Sequence, residues 1–218
     1  MRAAIPAPRL DPLRLDALAE GFAGDLGARE HAEGLRFDGV DLTGADLTAV
    51  SISECVFSAA LLSGAQLRAA SVVDSRVERI DVPGLSAARS RWRSVELLGS
   101  RLGSAELYES TLEQVRIADC KLGYVNLRGA ALRDVLLERC TIDELDLGGA
   151  TGGRVRLVDC DVRSLELGGA RLEHLDLRGA ELHVLGGLDG LRGAALTELQ
   201  LSLMLPLFAQ HFGVQVLG

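Results

Sequence analysis

Apolar positions recur every five residues along most of the chain. Every fifth residue from Phe37 to Leu182 is apolar except Gly152. A second series lies two residues earlier in each unit, from Leu35 to Leu185, and holds only Leu, Val, Ile, Ala, Cys or Ser. This period fits neither a helix, which buries a residue about every 3.6 positions, nor a flat strand, which buries every second one.

Two inward positions in five indicate a short extended piece followed by a turn. Four such pieces close into a square coil of 20 residues, and the same residue types do return at that spacing. Stacked identical side chains are expected where each coil contacts only its neighbours. The sequence therefore predicts an all-β solenoid over residues 35–189. The repeated inward types are Val95, Val115, Val135 and Val155; Cys120, Cys140 and Cys160; and Ala130, Ala150 and Ala170.

Several units carry a family signature. The segments 45–49 (ADLTA), 65–69 (AQLRA) and 105–109 (AELYE) resemble the A(D/N)LXX unit of pentapeptide-repeat proteins. The resemblance implies a right-handed quadrilateral β-helix, which in this chain would have about 7–8 coils.

The N-terminal region, residues 1–34, is predicted to be a tail and a short capping helix. Asp11 fits the N-cap position and Pro12 the first helical position, which places the helix at about 12–20. Such a helix would cover the open apolar end of the first coil.

The C-terminal region, residues 190–218, is predicted to be a longer helical cap. Thr197 and Gln200 form a capping-box pattern, Pro206 should kink or restart the helix, and Gly213 should end it. The apolar side chains there exceed what one coil end can cover, so a homodimer interface is expected in addition to a lid, with a lid alone as the alternative. Family members with a C-terminal helix dimerise end to end through it. The candidate interface residues are Leu199, Leu203, Met204, Leu207, Phe208 and Phe212.

Two irregularities interrupt the inward series. Ala87 leaves space on one face, and Trp92 overfills the next face of the same coil, so the indole is expected to lean into the volume that Ala87 vacates. Gly152 has no compensating neighbour, which predicts a small void or a local bulge there.

Catalytic or metal-binding chemistry finds little support. Four cysteines, at 55, 120, 140 and 160, occupy inward positions, where free Cys is commonly a small buried hydrophobe. His31, His174, His183 and His211 share no metal-ligand spacing, and the sequence contains no GxSxG, P-loop or HExxH motif. We therefore expect a non-enzyme with no catalytic residue, no cofactor and no metal.

Composition and charge narrow the class of partner. The formal net charge of −8 argues against direct nucleic-acid binding, because phosphates require a basic surface. No apolar run reaches the roughly 20 residues that span a bilayer, and the first residues lack the apolar core of a signal peptide. A cytoplasmic protein without membrane contact is expected.

Charged residues also follow the 20-residue spacing. Asp46, Glu106, Asp146 and Glu166 share one outward phase and form a candidate acidic ladder for a basic partner. The alternative is an ordinary mixed, solvated surface. A cluster of arginines of unassigned role lies in the middle of the rod: Arg76, Arg79, Arg89, Arg91, Arg93 and Arg101.

The sequence is compatible with two functions. The first is an interaction scaffold with an unknown protein partner. The second comes from the resemblance: in the fluoroquinolone-resistance pentapeptide-repeat proteins, an acidic rod imitates DNA and occupies DNA gyrase. This chain departs from them in having Phe at only two centres, Phe37 and Phe57, no loop insertion and a mildly acidic coil.

Overall fold

The computed structural model describes residues 5–215, which form a β-solenoid of about eight turns with a C-terminal helix. Neighbouring strands are parallel and pair with an offset of 20 residues, as at Val72–Trp92 and Leu102–Leu122. The predicted all-β solenoid is confirmed, and the 20-residue coil with it.

The strands follow one another in chain order, and two short 3-10 helices flank the coil at Ala23–Asp25 and Leu188–Leu191. Helix α1 spans Glu198–His211. The strands are β1 (Ala19–Glu20), β2 (His31–Glu33), β3 (Leu35–Asp38), β4 (Ser51–Ser53), β5 (Val56–Ser58), β6 (Ser71–Glu78), β7 (Asp81–Val82), β8 (Leu85–Ser86), β9 (Arg91–Leu98), β10 (Arg101–Glu106), β11 (Thr111–Ala118), β12 (Lys121–Asn126), β13 (Ala131–Glu138), β14 (Thr141–Asp146), β15 (Thr151–Glu166) and β16 (Arg171–Gly186).

The two inward series form one continuous apolar core along the rod. Each fully buried Leu, Ile or Val contributes about 1.5–3 kcal/mol by leaving water. Equivalent residues stack from coil to coil; the rings of Phe37 and Phe57, for example, lie parallel with centroids 4.6 Å apart. Polar residues in the inner series satisfy the backbone: the Ser75 hydroxyl donates to the Val73 carbonyl at 2.6 Å and accepts from the Cys55 amide at 3.0 Å.

The corners of the coil require a left-handed backbone. At one corner the turn residues of successive coils all have positive φ, from Asp74 (46°) through Ser94, Gln114 and Asp134 to His174 (61°). This conformation costs an L-residue about 1–2 kcal/mol, and Gly, Asn and Asp adopt it most readily. The corners therefore account for much of the Gly and Asp at outward positions.

The predicted helix at residues 12–20 is wrong. In the structure residues 5–18 form an extended segment, which we call the strap. Strand β1 follows it and pairs in parallel with β3 through Ala19–Leu35 and Glu20–Arg36. Leu13 and Leu15 alternate with polar residues as in a strand, and both are half-buried. Packing along the rod therefore stabilises the extended strap more than helix formation would stabilise such a short segment in water.

The strap runs along the outside of the solenoid for most of its length. The Arg9 amide donates to the Asp134 carboxylate at 2.9 Å. That site lies six coils from β1, about 29 Å at the usual strand spacing, and ten extended residues reach about 33 Å. Outward residues of this face are buried, including Val56, Ser58 and Ala118. The ladder steps that connect the two ends are Glu20, Arg36, Val56, Arg76, Glu96, Arg116 and Leu136.

Helix α1 begins as predicted. The Gln200 amide donates to the Thr197 hydroxyl at 3.1 Å, and the Thr197 amide donates to the Gln200 side-chain oxygen at 2.7 Å. Pro206 was predicted to kink or restart the helix; it does not restart it, because α1 continues through Pro206 from Glu198 to His211. Gly213 takes a left-handed conformation directly after the C-cap, where a helix commonly stops.

The two predicted irregularities have different outcomes. The Trp92 indole nitrogen donates to the Ser90 hydroxyl at 2.6 Å, and Ser90 in turn donates to the Ala87 carbonyl, so the ring is turned toward the Ala87 corner but stays half-buried. Gly152 stays in register with Leu132 and Leu172. The predicted bulge is therefore absent at Gly152, and the glycine lines a depression on the outside of the rod.

Removal of the indole should destabilise the coil. We expect Trp92→Ala to lower the free energy of unfolding by about 2–4 kcal/mol, because the ring packs against the core and holds Ser90. Trp92→Phe keeps the packing and should lose about 1 kcal/mol. Urea denaturation of the three proteins would measure this, and an unchanged midpoint for Trp92→Ala would show that the ring contributes nothing.

The strap should detach when its bond to Asp134 is lost. We expect Asp134→Ala to accelerate tryptic cleavage after Arg9 and Arg14 several-fold, with an intact rod. Asp74→Ala is the matched control, since Asp74 has the same left-handed backbone and makes no hydrogen bond to the strap among residues 5–215. Equal cleavage rates in both variants would refute the role of this bond.

The same bond should respond to acid. The Arg154 guanidinium, followed by the Arg9 amide, holds the pKa of Asp134 below its usual value of 3.8. A carboxylate with a depressed pKa stabilises the fold above its ordinary pKa and loses that contribution as the pH falls through the depressed value. Trypsin is inactive at low pH, so the detachment of the strap would be measured by its cleavage with pepsin between pH 4 and pH 2. We expect faster cleavage of the strap below about pH 3.8.

Candidate interaction surfaces

The four residues of the candidate acidic ladder lie in one column. Asp46, Glu106, Asp146 and Glu166 follow each other at intervals of one to three coils along the same face. Uncharged side chains separate the first three, namely Gln66, Ser86 and Asn126. Only Asp146 and Glu166 are direct neighbours in the column.

Each carboxylate of the column already has a hydrogen-bond partner. Asp146 and Glu166 accept from the amides two residues further on, Gly148 at 2.9 Å and Gly168 at 2.6 Å. Asp46 accepts from the Thr48 amide at 3.0 Å in the same way. These bonds satisfy the amide at the start of the turn, which is the physical reason for Asp, Asn or Glu at this position.

Positive charge further weakens the column near Asp146. The Arg128 guanidinium lies 3.0 Å from the Asp146 carboxylate, whose side chain is almost completely buried, and Tyr124 donates to it at 3.4 Å. Glu106 accepts from the Asn126 side chain at 2.7 Å. Asp46, Asp146 and Glu166 therefore cap turns, and Arg128 offsets the charge of Asp146. Hydrogen bonds from Thr48 lower the pKa of Asp46, which favours its charged form.

Half of the central arginine cluster is paired. Arg76 lies 2.8 Å from Glu96, Arg79 lies 2.6 Å from Glu78, and Arg89 lies 2.6 Å from Glu109. For Arg91, Arg93 and Arg101, no carboxylate of residues 5–215 lies within 4 Å. Exposed pairs of this kind contribute little, about 0–1 kcal/mol each.

Helix α1 covers the last coil with one edge. Met204 is buried against the coil and Phe208 is half-buried on it. The Gln200 amide group donates to the carbonyls of Leu177 and Ala180, both at 2.8 Å, and this ties the helix to β16. Met204 and Phe208 therefore pack against the last coil as part of the lid. The other four candidate interface residues are Leu199, Leu203, Leu207 and Phe212.

The other side of α1 presents an apolar surface to solvent. Leu199 and Leu203 are 70% and 72% exposed, and Phe212 is 72% exposed. We call Leu199, Leu203 and Leu207, which are spaced by four residues and so share one flank of the helix, the α1 patch. Leu201 and Leu205 are exposed on the other flank, and Phe212 and Val214 are exposed beyond the end of the helix. The α1 patch continues onto the last coil through Val184, which is 57% exposed and lines a groove together with Leu199 and Leu203.

Sequence reasoning missed Val184. The signal was available, because an apolar residue at an outward phase of the coil breaks the pattern of polar outward positions.

The inward cysteines are buried thiols. Cys120, Cys140 and Cys160 stack on successive coils, and each donates to a backbone carbonyl, as Cys140 does to Ile117 at 3.5 Å. The hydrogen bond with Cys120 raises the pKa of Cys140 to about 11. Within residues 5–215 no three His, Cys, Asp or Glu side chains are grouped as metal ligands.

The described part of the chain also contains no helix with the length and apolar character needed to cross a bilayer.

The five-residue repeat is also found when the chain is compared with known protein families. Residues 41–76 match the family model described as pentapeptide repeats, in eight copies. The chain carries pentapeptide repeats. The same five-residue pattern continues beyond this stretch through β16, so the repeats build the whole rod. The resemblance recognised in the sequence is confirmed. No curated protein matches the chain.

Solved structures of pentapeptide-repeat proteins show a distant likeness. One form of QnrB1, described as a plasmid-mediated fluoroquinolone resistance protein, is 21% identical over 88% of this chain and 91% of its own, with a TM-score of 0.29. HetL, described as involved in heterocyst differentiation regulation in the cyanobacterium Nostoc, is 20% identical over 80% and 90%, with a TM-score of 0.28. Likenesses with TM-scores this low carry no argument about function.

Proposed function

We propose that this pentapeptide-repeat protein is a non-enzymatic interaction scaffold that forms a homodimer through α1 and presents the sides of its rod to a protein partner. The observation that carries the proposal is the α1 patch, which lies beside the end of the solenoid and is continuous with Val184.

The burial of α1 supports a second copy of the chain as the occupant. A lid needs only the edge that holds Met204 and Phe208, yet large apolar side chains continue around the helix. Monomeric proteins rarely expose contiguous apolar patches beyond a few hundred Å². Two identical patches related by a two-fold axis would cover each other, since a two-fold interface uses the same surface on both copies.

Charge in the α1 patch should separate the copies. We expect the wild type to be a dimer at micromolar concentration by light scattering, and Leu203→Glu combined with Leu199→Glu to be a folded monomer. Leu61→Glu is the control, because Leu61 is a large exposed apolar residue on the side of the rod, and that variant should remain a dimer.

A monomeric wild type at these concentrations would reject the homodimer. Circular dichroism of the double variant would confirm that the solenoid is intact, so a loss of the dimer could not be attributed to unfolding.

A second candidate function is DNA mimicry toward DNA gyrase, favoured by the alignment of Asp46, Glu106, Asp146 and Glu166 in one column. The hydrogen bonds that these carboxylates make within the rod, together with Arg128, weigh against it. A DNA imitation needs a continuous negative potential, and Gln66, Ser86 and Asn126 interrupt this one.

Gyrase supercoiling assays separate the two candidates. Mimicry requires inhibition by the dimer at micromolar concentration or below, weakened several-fold in the double variant Glu106→Gln and Glu166→Gln. These changes remove charge while keeping a side-chain oxygen for the turn. Asp143→Asn, on another face, is the matched control and should not change the inhibition. We expect no inhibition by the folded wild type, as a scaffold without gyrase binding requires.

A further inference from the structure

A notch interrupts the side of the rod near its C-terminal end. Gly152 and Gly153 occupy positions that carry Leu132 and Arg133 one coil earlier, and Leu172 and Glu173 one coil later. A depression of about 1130 Å³ lies beside these glycines, and residues of successive coils from Arg133 to Gly193 line it. A Cβ at Gly152 would overlap the Leu132 carbonyl oxygen, and one at Gly153 would meet the Glu173 carbonyl oxygen at 2.6 Å. The local backbone therefore accepts only glycine, and the notch is part of the fold.

Cationic side chains outnumber anionic ones around the notch. Four guanidinium groups and one imidazole line it, against two carboxylates, in a chain whose net charge is −8. The cationic groups are Arg133, Arg154, Arg171, Arg192 and His174; the carboxylates are Glu173 and Asp189.

Several of these charges are already engaged within the protein. Arg154 forms two hydrogen bonds with Asp134, at 2.5 and 2.6 Å, and Asp189 accepts from the Gly169 amide at 3.3 Å. Arg154 therefore forms a fixed wall of the notch and is not free to bind a ligand.

The other three arginines keep their donors free. Arg133 is 67% exposed and only approaches Glu113 at 3.9 Å and Asp134 at 3.8 Å, beyond hydrogen-bond distance. Arg171 and Arg192 have no carboxylate oxygen within 4 Å among the residues the structure describes. Three guanidinium groups with no carboxylate of residues 5–215 within hydrogen-bond distance therefore line the notch, together with Glu173 and His174.

We propose that the notch binds the phosphate group of a small molecule, held by Arg133, Arg171 and Arg192. Guanidinium groups present paired donors that match phosphate oxygens, and several of them are needed to share a dianion. A recess concentrates the local positive potential more than a flat surface does. The source of the phosphate is either a nucleotide or free inorganic phosphate.

A nucleic acid is a poorer match for this site. The notch extends only over the coils from Arg133 to Gly193, and the chain as a whole is acidic, so a long phosphate backbone would meet repulsion on either side. A single phosphate group needs only the notch itself.

Calorimetric titration of the full-length protein tests the proposal. We use inorganic phosphate and adenosine monophosphate as separate probes at low ionic strength. We expect a Kd of roughly 0.1–1 mM for the preferred probe, as a few exposed charge-assisted hydrogen bonds would provide. Competition between the two probes would place them at one site, and the tighter of the two identifies the source of the phosphate.

Variants connect the binding to the notch. The triple variant Arg133→Gln, Arg171→Gln and Arg192→Gln should weaken binding at least tenfold. Arg163→Gln is the control, because Arg163 is an exposed arginine outside the notch with a similarly long contact, 3.8 Å to Asp143. Thermal melting would confirm that both variants are folded.

Three results would overturn the proposal. They are the absence of binding up to 10 mM of either probe, equal weakening by Arg163→Gln and the triple variant, and reproduction of the heat by sodium chloride at matched ionic strength. Tighter binding of a single-stranded oligonucleotide than of either probe, unaffected by the triple variant, would likewise reject the notch as the site.

Discussion

The parallel hydrogen-bond ladder between coils is the constraint on which the rest of the structure depends. Apart from β1 and a local register shift at Val158, each strand pairs with the residue 20 positions away, as Leu102 does with Leu122. The ladder requires every coil to contain the same number of residues, and it therefore keeps the inward series in phase from Phe37 to Leu182. Side chains of one type then stack on one another, so the core forms from contacts between neighbouring coils alone.

The cost of this ladder appears at the corners. A coil that turns every five residues places turn residues in the left-handed region and leaves the amides at the start of the turn in need of a partner. Asp46, Asp146 and Glu166 accept hydrogen bonds from those amides. These residues of the candidate acidic ladder are thus needed as hydrogen-bond acceptors for the turn amides. Acidity along a pentapeptide-repeat face is consequently weak support for a basic partner, unless the carboxylates are shown to be free of such bonds.

The ends of the rod and its one irregular coil hold the surfaces available for function. A solenoid side is uniform, because each coil repeats the one before it. Differences arise where the repeat stops, at α1, or where it lacks side chains, at Gly152 and Gly153. The strap adds a third difference, since it covers one face and leaves the others open. Both proposals, the α1 dimer and the phosphate notch, rest on these interruptions.

The sequence by itself determined the five-residue phase, the 20-residue coil, the inward cysteines and the capping box of Thr197 and Gln200. Each of these depends on contacts between neighbours in the chain or in the ladder, and such contacts leave a periodic or local trace. The tertiary structure alone decided the strap, the orientation of Met204 and the shape of the notch. Asp11 and Pro12 are local signals for the start of a helix, yet the segment instead lies along the rod, where Arg9 bonds to Asp134, 125 residues away in the chain. Gly152 marked an irregularity in the sequence, but whether it opened inward or outward depended on the backbone of the two adjoining coils and on which side chains faced the gap.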